Sequence, residues 1–540
     1  MMTKQSNVLM IVTDQEYAHQ SLPAGFVLPN RDRLRSRGVT FDNHYATTSV
    51  CTPSRSVMLT GRHTPHTGMF DNTNFAWIDD MKADPEALPT IGHMMRDLGY
   101  YTVYKGKWHL SEHPTEASQE SMEPYGFSEY QEWGDAQGQP MDGFLKDPKI
   151  ADEAAEWLTK RAPQVATTQP WFMAVNFVNP HDVMFFDTDG AETVQANSMF
   201  PIFAAPDAPL YQQKWQTALP GSFLDDLDGQ PPAVRSYEAL CDVYYGPIPM
   251  DRRDMWHNHV NYYLNCLLDV DRHIGEVLDA LEASGLADDT IVIFTSDHGE
   301  MGGAHHLRQK GSVAFQENLN VPLVIVDPRH PGSARTDAVG SHLDLVPTIL
   351  AYAGLPEAER QQRYPSLKGH DLSGVVEDPA SSGPRGSSGE PGKGCLLTYD
   401  MISTVDAVWF ARNATKVFDA AAAKAGVEFH RGMDSFKGMV DEIGMPDLEK
   451  REIFRSVFDG RYKLVRYFGL GTYNRPASVE QLLADNDVAL YDLSRDPEEM
   501  DNLADAANPR YSEELLSTMN DKLNALIDEE IGEDTALFTP

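Results

Sequence analysis

The chain predicts an α/β fold: a large, mainly parallel central sheet flanked by helices, then a smaller antiparallel domain at the C-terminal end. Three observations carry this. Short β-branched runs, each leading to a polar residue, recur through the first part of the chain. Helical periods separate them. After a stretch rich in Pro, Gly and Ser, the pattern changes to short strands joined by a tight turn.

In chain order, Val8–Thr13 leads to Asp14, Tyr101–Tyr104 to Lys105, Phe172–Val178 to His181 and Ile291–Thr295 to Asp297; Val321–Val326 is a further run. Between them lie helical patterns at Leu88–Leu98 and His257–Ala283, the second with Val260, Leu264, Leu267, Ile274, Val277 and Leu281 on one face. Strands alternating with helices run parallel, and ligands of such sheets bind beyond the carboxyl ends of the strands. The polar residues just named sit there. Residues 187–254, rich in Pro, Gln, Asp and aromatics, are expected to be an insertion or lid. Residues 378–393 are expected to form a linker or exposed loop. Leu396–Tyr399 and Val408–Ala411 follow as strands. Asp459-Gly460, between apolar alternations from Ser456 to Arg466, is a hairpin signal. The division expected is a catalytic domain over 1–394 and a C-terminal domain over 395–540. The tail Ser512–Ile531 alternates apolar and acidic residues at a helical period. It packs on its own domain or on a partner subunit, and the expectation leans to a homo-oligomer, a dimer or tetramer.

At 540 residues and 41% hydrophobic, the chain has ample material for a core and is too long for one average domain. Its formal charge of −37 excludes nucleic acid and anionic membranes as partners, and any site for an anion must build a local positive field. Met1–Asn7 has neither a long apolar core nor a small-residue cleavage site, and no run is long enough to span a bilayer. The four cysteines lack zinc-type spacing, and Cys241, Cys266 and Cys395 read as small buried thiols. A cytoplasmic protein is expected.

The most informative segment is Cys51-Thr52-Pro53-Ser54-Arg55, running into Leu59-Thr60-Gly61-Arg62. It resembles the maturation motif of the type I sulfatases, C-x-P-S-R followed by Leu-Thr-Gly-Arg, in the alkaline phosphatase superfamily. The resemblance implies an alkaline phosphatase-like sandwich. It also implies that a formylglycine-generating enzyme oxidises Cys51 to formylglycine, an aldehyde. Cys51 is expected at a helix start, where free N–H groups favour anions. Arg55, one turn on, would hold the modified side chain.

Further motifs extend the resemblance from about Asn7 to Ala504. Asp14 and Asp297 match the family's divalent-metal halves in Val12-Thr13-Asp14-Gln15 and Thr295-Ser296-Asp297-His298-Gly299-Glu300. Gln15 and His298 stand where typical arylsulfatases have Asp and Asn. This variant looks more like choline sulfatases and the phosphonate monoester and phosphodiester hydrolases. The implied metal set is Asp14, Gln15, Cys51, Asp297 and His298, around one Ca2+ or Mn2+; an imidazole weakens the calcium default. Gln15 either ligates weakly or only hydrogen-bonds. Gly106-Lys107-Trp108-His109-Leu110 matches the family's G-K-W-H-L; side chains alternating along an extended segment would put Lys107 and His109 in one crevice. His181, in Asn179-Pro180-His181, and Lys310 match residues at the transferring group and leaving oxygen. Asn72 resembles a substrate-contacting asparagine, with Asn74 as the competing choice. His305-His306 reads as loop, since adjacent side chains diverge. Leu490–Ala504 matches a family pattern expected to give a strand, a turn at Asp496-Pro497 and a helix start.

The resemblance implies hydrolysis of aryl or small alkyl sulfate monoesters. One hydroxyl of the hydrated aldehyde attacks sulfur. Lys107, His181 and Lys310 offset charge on the oxygens. His181 or Lys310 supports the departing alcohol, and His109 deprotonates the second hydroxyl so that sulfate leaves. Two alternatives stand beside it: a phosphonate monoester or phosphodiester hydrolase with the same nucleophile, or promiscuity across both classes, and a non-catalytic anion-binding relative.

Overall fold

The structure, a computed structural model, describes residues 5–534 other than 74, 76–77, 112–116, 191–197, 199, 407–408, 411–412, 414–440, 442–443 and 471–474. Strand β1 (Asn7–Asp14) is buried at every residue, as expected of an apolar run with no polar face. It is an interior strand of a seven-stranded sheet with β2 (Val39–Tyr45), β3 (Tyr101–Gly106), β4 (Trp171–Pro180), β5 (Thr290–Ser296), β6 (Leu323–Val326) and β7 (Ala334–Ser341), in the order β3-β4-β1-β5-β6-β2-β7. The four strands β3, β4, β1 and β5 are mutually parallel, so their carboxyl ends share one edge. The sheet is mixed because β6 is antiparallel to both β5 and β2.

Six helices matter for the site: α1 (Cys51–Thr60), α2 (Asp142–Lys160), α3 (Pro232–Tyr245), α4 (Arg253–Ala283), α5 (Leu345–Tyr352) and α6 (Glu513–Glu530). Side chains of a strand alternate between faces. Thus Leu9 and Ile11 pack with Ala154 and Leu158 of α2 and Ile274 and Val277 of α4. On the other face Val8, Met10 and Val12 join Met58 and Leu59 of α1 and Val346 and Ile349 of α5.

A second, antiparallel sheet begins at Cys395: β8 (Cys395–Tyr399), β9 (Ile453–Phe458), β10 (Tyr462–Phe468) and β11 (Asp487–Asp492), in the order β11-β10-β9-β8. The β9–β10 hairpin turns at Asp459-Gly460. One face of this sheet, with Leu396, Val457, Leu464 and Leu490, is covered by Leu516, Met519, Leu523 and Ile527 of α6. The apolar stripe of the tail therefore packs on its own domain, the first of the two packings the sequence allows. The other face meets the main body through Leu397, Tyr399 and Tyr491. A buried clasp joins the layers. Arg385 Nε and Nη2 donate to Asp344 at 2.8 and 2.9 Å, and Nη1 to Glu530 Oε1 at 2.8 Å. Glu530 Oε2 pairs with His63 Nε2 at 2.8 Å.

Several expectations need revision. The run Val321–Val326 shortens to β6 and runs antiparallel. Within 187–254 the chain forms α3. Trp409 and Phe410 are helical, and the rest of Val408–Ala411 lies outside the described residues. No helix starts after Asp496-Pro497; instead Asn502 Oδ1 accepts from Leu490 N and Ala504 N, and α6 begins later, capped by the Ser512 side chain. Among the described residues no helix is long and apolar enough to cross a membrane.

Candidate active site

Parallel pairing of β1 and β5 places Thr13 beside Ser296, so Asp14 and Asp297 leave adjacent strand ends together. Helix α1 is buried along its whole length and points its N-terminus at them. Three non-glycine residues near this point, Gln15 (φ 74°), Val50 (φ 76°) and His109 (φ 53°), adopt left-handed backbone. For a β-branched residue such as Val50 that conformation is strained, and such strain gathers at functional sites.

Cys51 Sγ lies 3.3 Å from His298 Nε2, 3.5 Å from Lys107 Nζ and 3.7 Å from Asp14 Oδ1. Arg55, one turn along α1, directs its guanidinium to the same centre. Its guanidinium is occupied by Asp297 Oδ2 (2.9 Å), Asp14 Oδ2 (3.2 Å) and the Lys107 carbonyl (2.9 Å). Lys107 Nζ also reaches Asp14 Oδ2, at 2.6 Å. Each aspartate thus gives Oδ2 to cationic side chains and turns Oδ1 to a shared space, where both Oδ1 atoms lie 3.6 Å from His298 Nε2. His298 Nδ1 donates to the Gly299 carbonyl at 3.1 Å, a tautomer that aims the Nε2 lone pair at the same space. Asp14, Cys51, Asp297 and His298 are all buried, with donor atoms within 4.8 Å of one another. This mixed oxygen and nitrogen donor set fits a divalent cation.

Gln15, beside Asp14, is engaged in hydrogen bonds on both side-chain polar atoms. Its Oε1 accepts from Lys310 Nζ, while Nε2 donates to Glu300 Oε2 (2.5 Å) and Gln309 Oε1 (3.1 Å). Glu300 in turn is bound by His259 Nε2 (3.0 Å) and the Gln309 amide (2.8 Å). Lys107 and His109 do share one crevice, but by a different route. β3 ends at Gly106, whose added Cβ would lie 1.9 Å from the Asn176 carbonyl oxygen, and the chain then turns. Both oxygens of Asp135 hold that turn, accepting from the Trp108 and His109 amides at 2.8 Å each. His181 follows β4, and its Nδ1 has no hydrogen-bond partner among the described residues. Gly138 closes over this point: a Cβ there would lie 2.7 Å from Lys107 Nζ and 2.9 Å from His181 Cε1. Asn72 lines the cavity and its Oδ1 caps α1 by accepting from Thr52 N at 3.2 Å; Asn74 lies outside the described residues. His305 and His306 diverge, to Asp225 and Glu238.

Electrostatics follow the geometry. Burial works against the Asp14 charge, yet Lys107, with His181, Arg55 and His298, holds its carboxyl well below the usual carboxylate range. Burial and the neighbouring Asp14 charge push Asp297 up to about 6. His109 is held well below the usual imidazole value by burial and then by Lys107; His181 likewise, by burial and then by Lys310. Both imidazoles are therefore neutral near pH 7 and can accept protons or hydrogen bonds. Glu300 is buried, but His259 and Gln15 bring it down to about 2. Glu300, His259, Gln309 and Asp135 escaped sequence reasoning. Only Glu300 carried a signal, lying two positions beyond His298.

Cations ringing an aspartate pair, beside a nucleophile-sized side chain at a helix N-terminus, define a hydrolase for charged tetrahedral esters. Comparisons with known proteins narrow that class. A model of the sulfatase family matches residues 6–355, and the chain belongs to that family, whose members hydrolyse sulfuric esters. It is 29% identical over 383 residues to an uncharacterised sulfatase of Escherichia coli (strain K12), covering 66% of this chain and 69% of that one. With a choline-sulfatase of Rhizobium meliloti it shares 25% over 384 residues, 66% and 69% of the two chains. The phosphonate monoester hydrolase of Agrobacterium radiobacter superposes with a TM-score of 0.62 over 96% of each chain; at 21% identity that likeness is one of fold.

Proposed function

We propose that the site hydrolyses sulfate monoesters through a formylglycine made from Cys51, with a divalent cation held by Asp14, Asp297 and His298. One observation supports this above the rest: the residue-51 side chain sits between the convergent lone pairs of those three residues and the Lys107 ammonium. A hydrated aldehyde would supply the attacking hydroxyl, and the cation would favour its ionised form and draw charge from a sulfate oxygen. The mixed donor set suits manganese as well as calcium.

The chain's own residues perform the rest. Lys107 and Lys310 place two ammonium groups against the transferring oxygens, in a buried site where such donors weigh most. Neutral His109 accepts a proton from the residue-51 side, and its orientation is fixed by Asp135 through its own amide. His181, neutral and with a free Nδ1, accepts or shares a hydrogen bond at the transferring group. That leaves Lys310 to support the departing oxygen. Asp14, kept ionised, balances Lys107 and Arg55 so that neither cation is left bare.

The test is mass spectrometry of the Cys51 peptide together with turnover of p-nitrophenyl sulfate. An aldehyde in active protein is expected. A Cys51→Ser variant should complete at most one turnover, and sustained turnover by it would refute the reading. A second reading, hydrolysis of phosphonate monoesters or phosphodiesters, is favoured by Gln15 and His298 and by the likeness of fold. The ratio of kcat/KM on p-nitrophenyl sulfate and on a phenyl phosphonate monoester decides between them; we expect the sulfate to be the better substrate.

A further inference from the structure

Strands β1 and β4 pair in step from Val8 with Phe172 to Val12 with Asn176, and then resume with Asp14 beside Pro180. Two steps along β1 are thus matched by four along β4. The surplus bulges out of the ladder, and a bulge re-aims the side chains around it. His181 is the first residue beyond this one. We infer that Asp147 and Asp182 are positioning residues for His181: together they fix the bulge at the end of β4 and so aim the imidazole at the transferring group. The inference takes the role of His181 from the sulfatase reading and the geometry from this chain's own contacts.

Pairing of β4 with β3 ends at Asn176 as well. The amides of Val178 and Asn179 therefore need acceptors outside the sheet. One carboxylate serves both: Asp147 Oδ1 accepts from Val178 N at 2.7 Å and Oδ2 from Asn179 N at 2.9 Å. Asp147 belongs to α2, and the tie is returned from the other side. Asp182 Oδ1 accepts from Gly143 N at 3.0 Å and Oδ2 from Phe144 N at 2.9 Å, two of the N–H groups that the start of a helix leaves free. One carboxylate thus holds the backbone before His181, and the other holds α2 from the residue after it. Gly143 permits the close approach, since a Cβ there would lie 2.4 Å from Asn179 Cγ. The same helix start governs the facing wall. Asp142 Oδ2 accepts from the Gly138 and Gln139 amides at 3.2 and 2.9 Å, and Gly138 is the residue that closes over His181.

Packing alone does not call for these two acids. Asp147 is 0% and Asp182 2% exposed, and Asp269 of α4 adds a third negative charge nearby. Burial pushes both carboxyls up, Asp182 to about 7, against the pull of the amides they accept. Buried carboxylates without a cationic partner cost stability. What the pair supplies in return is a fixed backbone on either side of one residue. His181 needs it, because its Nδ1 has no hydrogen-bond partner among the described residues, and its aim follows the backbone that carries it.

The experiment is a double-mutant cycle on the mature enzyme with p-nitrophenyl sulfate: wild type, Asp182→Asn, His181→Gln and the two combined. Asp182→Asn should lower kcat/KM by about tenfold or more when His181 is present, mostly through kcat, and by less than about twofold once His181 is gone. Gly143→Ala removes no polar group and crowds Asn179; it should show the same dependence on His181, and it carries the cycle if Asp182→Asn does not fold. No loss in the wild-type background, or equal losses in both backgrounds, overturns the inference and leaves the sulfatase reading standing. If formylglycine-bearing wild type cleaves no p-nitrophenyl sulfate, the sulfatase reading falls, and magnetic resonance of protein carrying isotope-labelled histidine judges the geometry. The His181 Cε1 signal, identified by its loss in His181→Gln, should move in Asp182→Asn or Gly143→Ala, while the His109 signal, identified in the same way, holds. An unmoved His181 signal, or equal movement of both, overturns the inference.

Discussion

Two buried arginines each bridge a pair of carboxylates in this molecule, and they serve opposite ends. At Arg385 every carboxylate oxygen is consumed. Asp344 gives both oxygens to the guanidinium and also accepts from the Ser341 and His370 amides, while Glu530 divides its oxygens between Arg385 and His63. At Arg55 only Oδ2 of Asp14 and of Asp297 is paired with the guanidinium; both Oδ1 atoms face His298 Nε2, that of Asp14 also facing Cys51 and that of Asp297 also accepting from the Gln15 and His298 amides. Burial and charge are alike in the two places. What separates a clasp from a reactive centre is where the remaining lone pairs point.

Making the same substitution at both arginines puts this contrast under the heaviest load. Arg55→Lys keeps a cation and loses the fork that splits two carboxylates. We expect kcat/KM to fall by about a thousandfold, with bound-metal content reduced, by steady-state kinetics and elemental analysis. Arg385→Lys should cost ~3 kcal/mol of stability in chemical denaturation and leave kcat per folded molecule within about twofold. If the two variants lost activity and stability in the same proportion, the distinction would fail. A smaller effect is expected at Glu300→Gln, which removes the charge that fixes Gln15 and His259: about tenfold in kcat/KM, with a lowered melting temperature at pH 7, since the depressed Glu300 carboxyl stabilises the fold there. The smallest sharpens the clasp alone. Burial opposes the charges of Asp344 and Glu530, but Arg385 holds both carboxyls below their ordinary values. Their stabilisation is therefore full above the unfolded values of about 4 and drains away as pH falls through the depressed folded ones. Glu530→Gln should lower stability at pH 7 and make the acid limb between about pH 5 and 3 shallower, by urea titration at each pH. An unchanged acid limb would remove Glu530 from the clasp.

Much of the centre was legible because its ligands stand where apolar runs stop: Asp14 after Val8–Thr13, Asp297 after Ile291–Thr295. Strand direction was not, since nothing local in Leu323–Val326 distinguishes a parallel from an antiparallel neighbour. β2 and β7 were missed for a different reason: Val39–Tyr45 interleaves Asp42, Asn43 and His44, and Ala334–Ser341 is polar along an edge. Helix α3 did have a signal. Val234, Tyr237, Cys241 and Tyr244 keep a helical period between Pro232 and Gly246, masked by the loop-like composition around them. Asp135 and His259 reach the site from distant turns and helices, and no spacing along the chain announces such partners. Side-chain alternation placed Lys107 and His109 correctly for the wrong reason, since a carboxylate-held turn, not an extended strand, aims them.

Helix α1 has one last consequence, and it concerns timing. All ten of its residues are sealed inside the finished protein, so no second protein can grip Cys51 once the sheet has closed over it. If an enzyme installs the aldehyde, it must meet this segment while the chain is still open. The fold then works as a one-way door: a molecule that closes too early keeps its thiol for life.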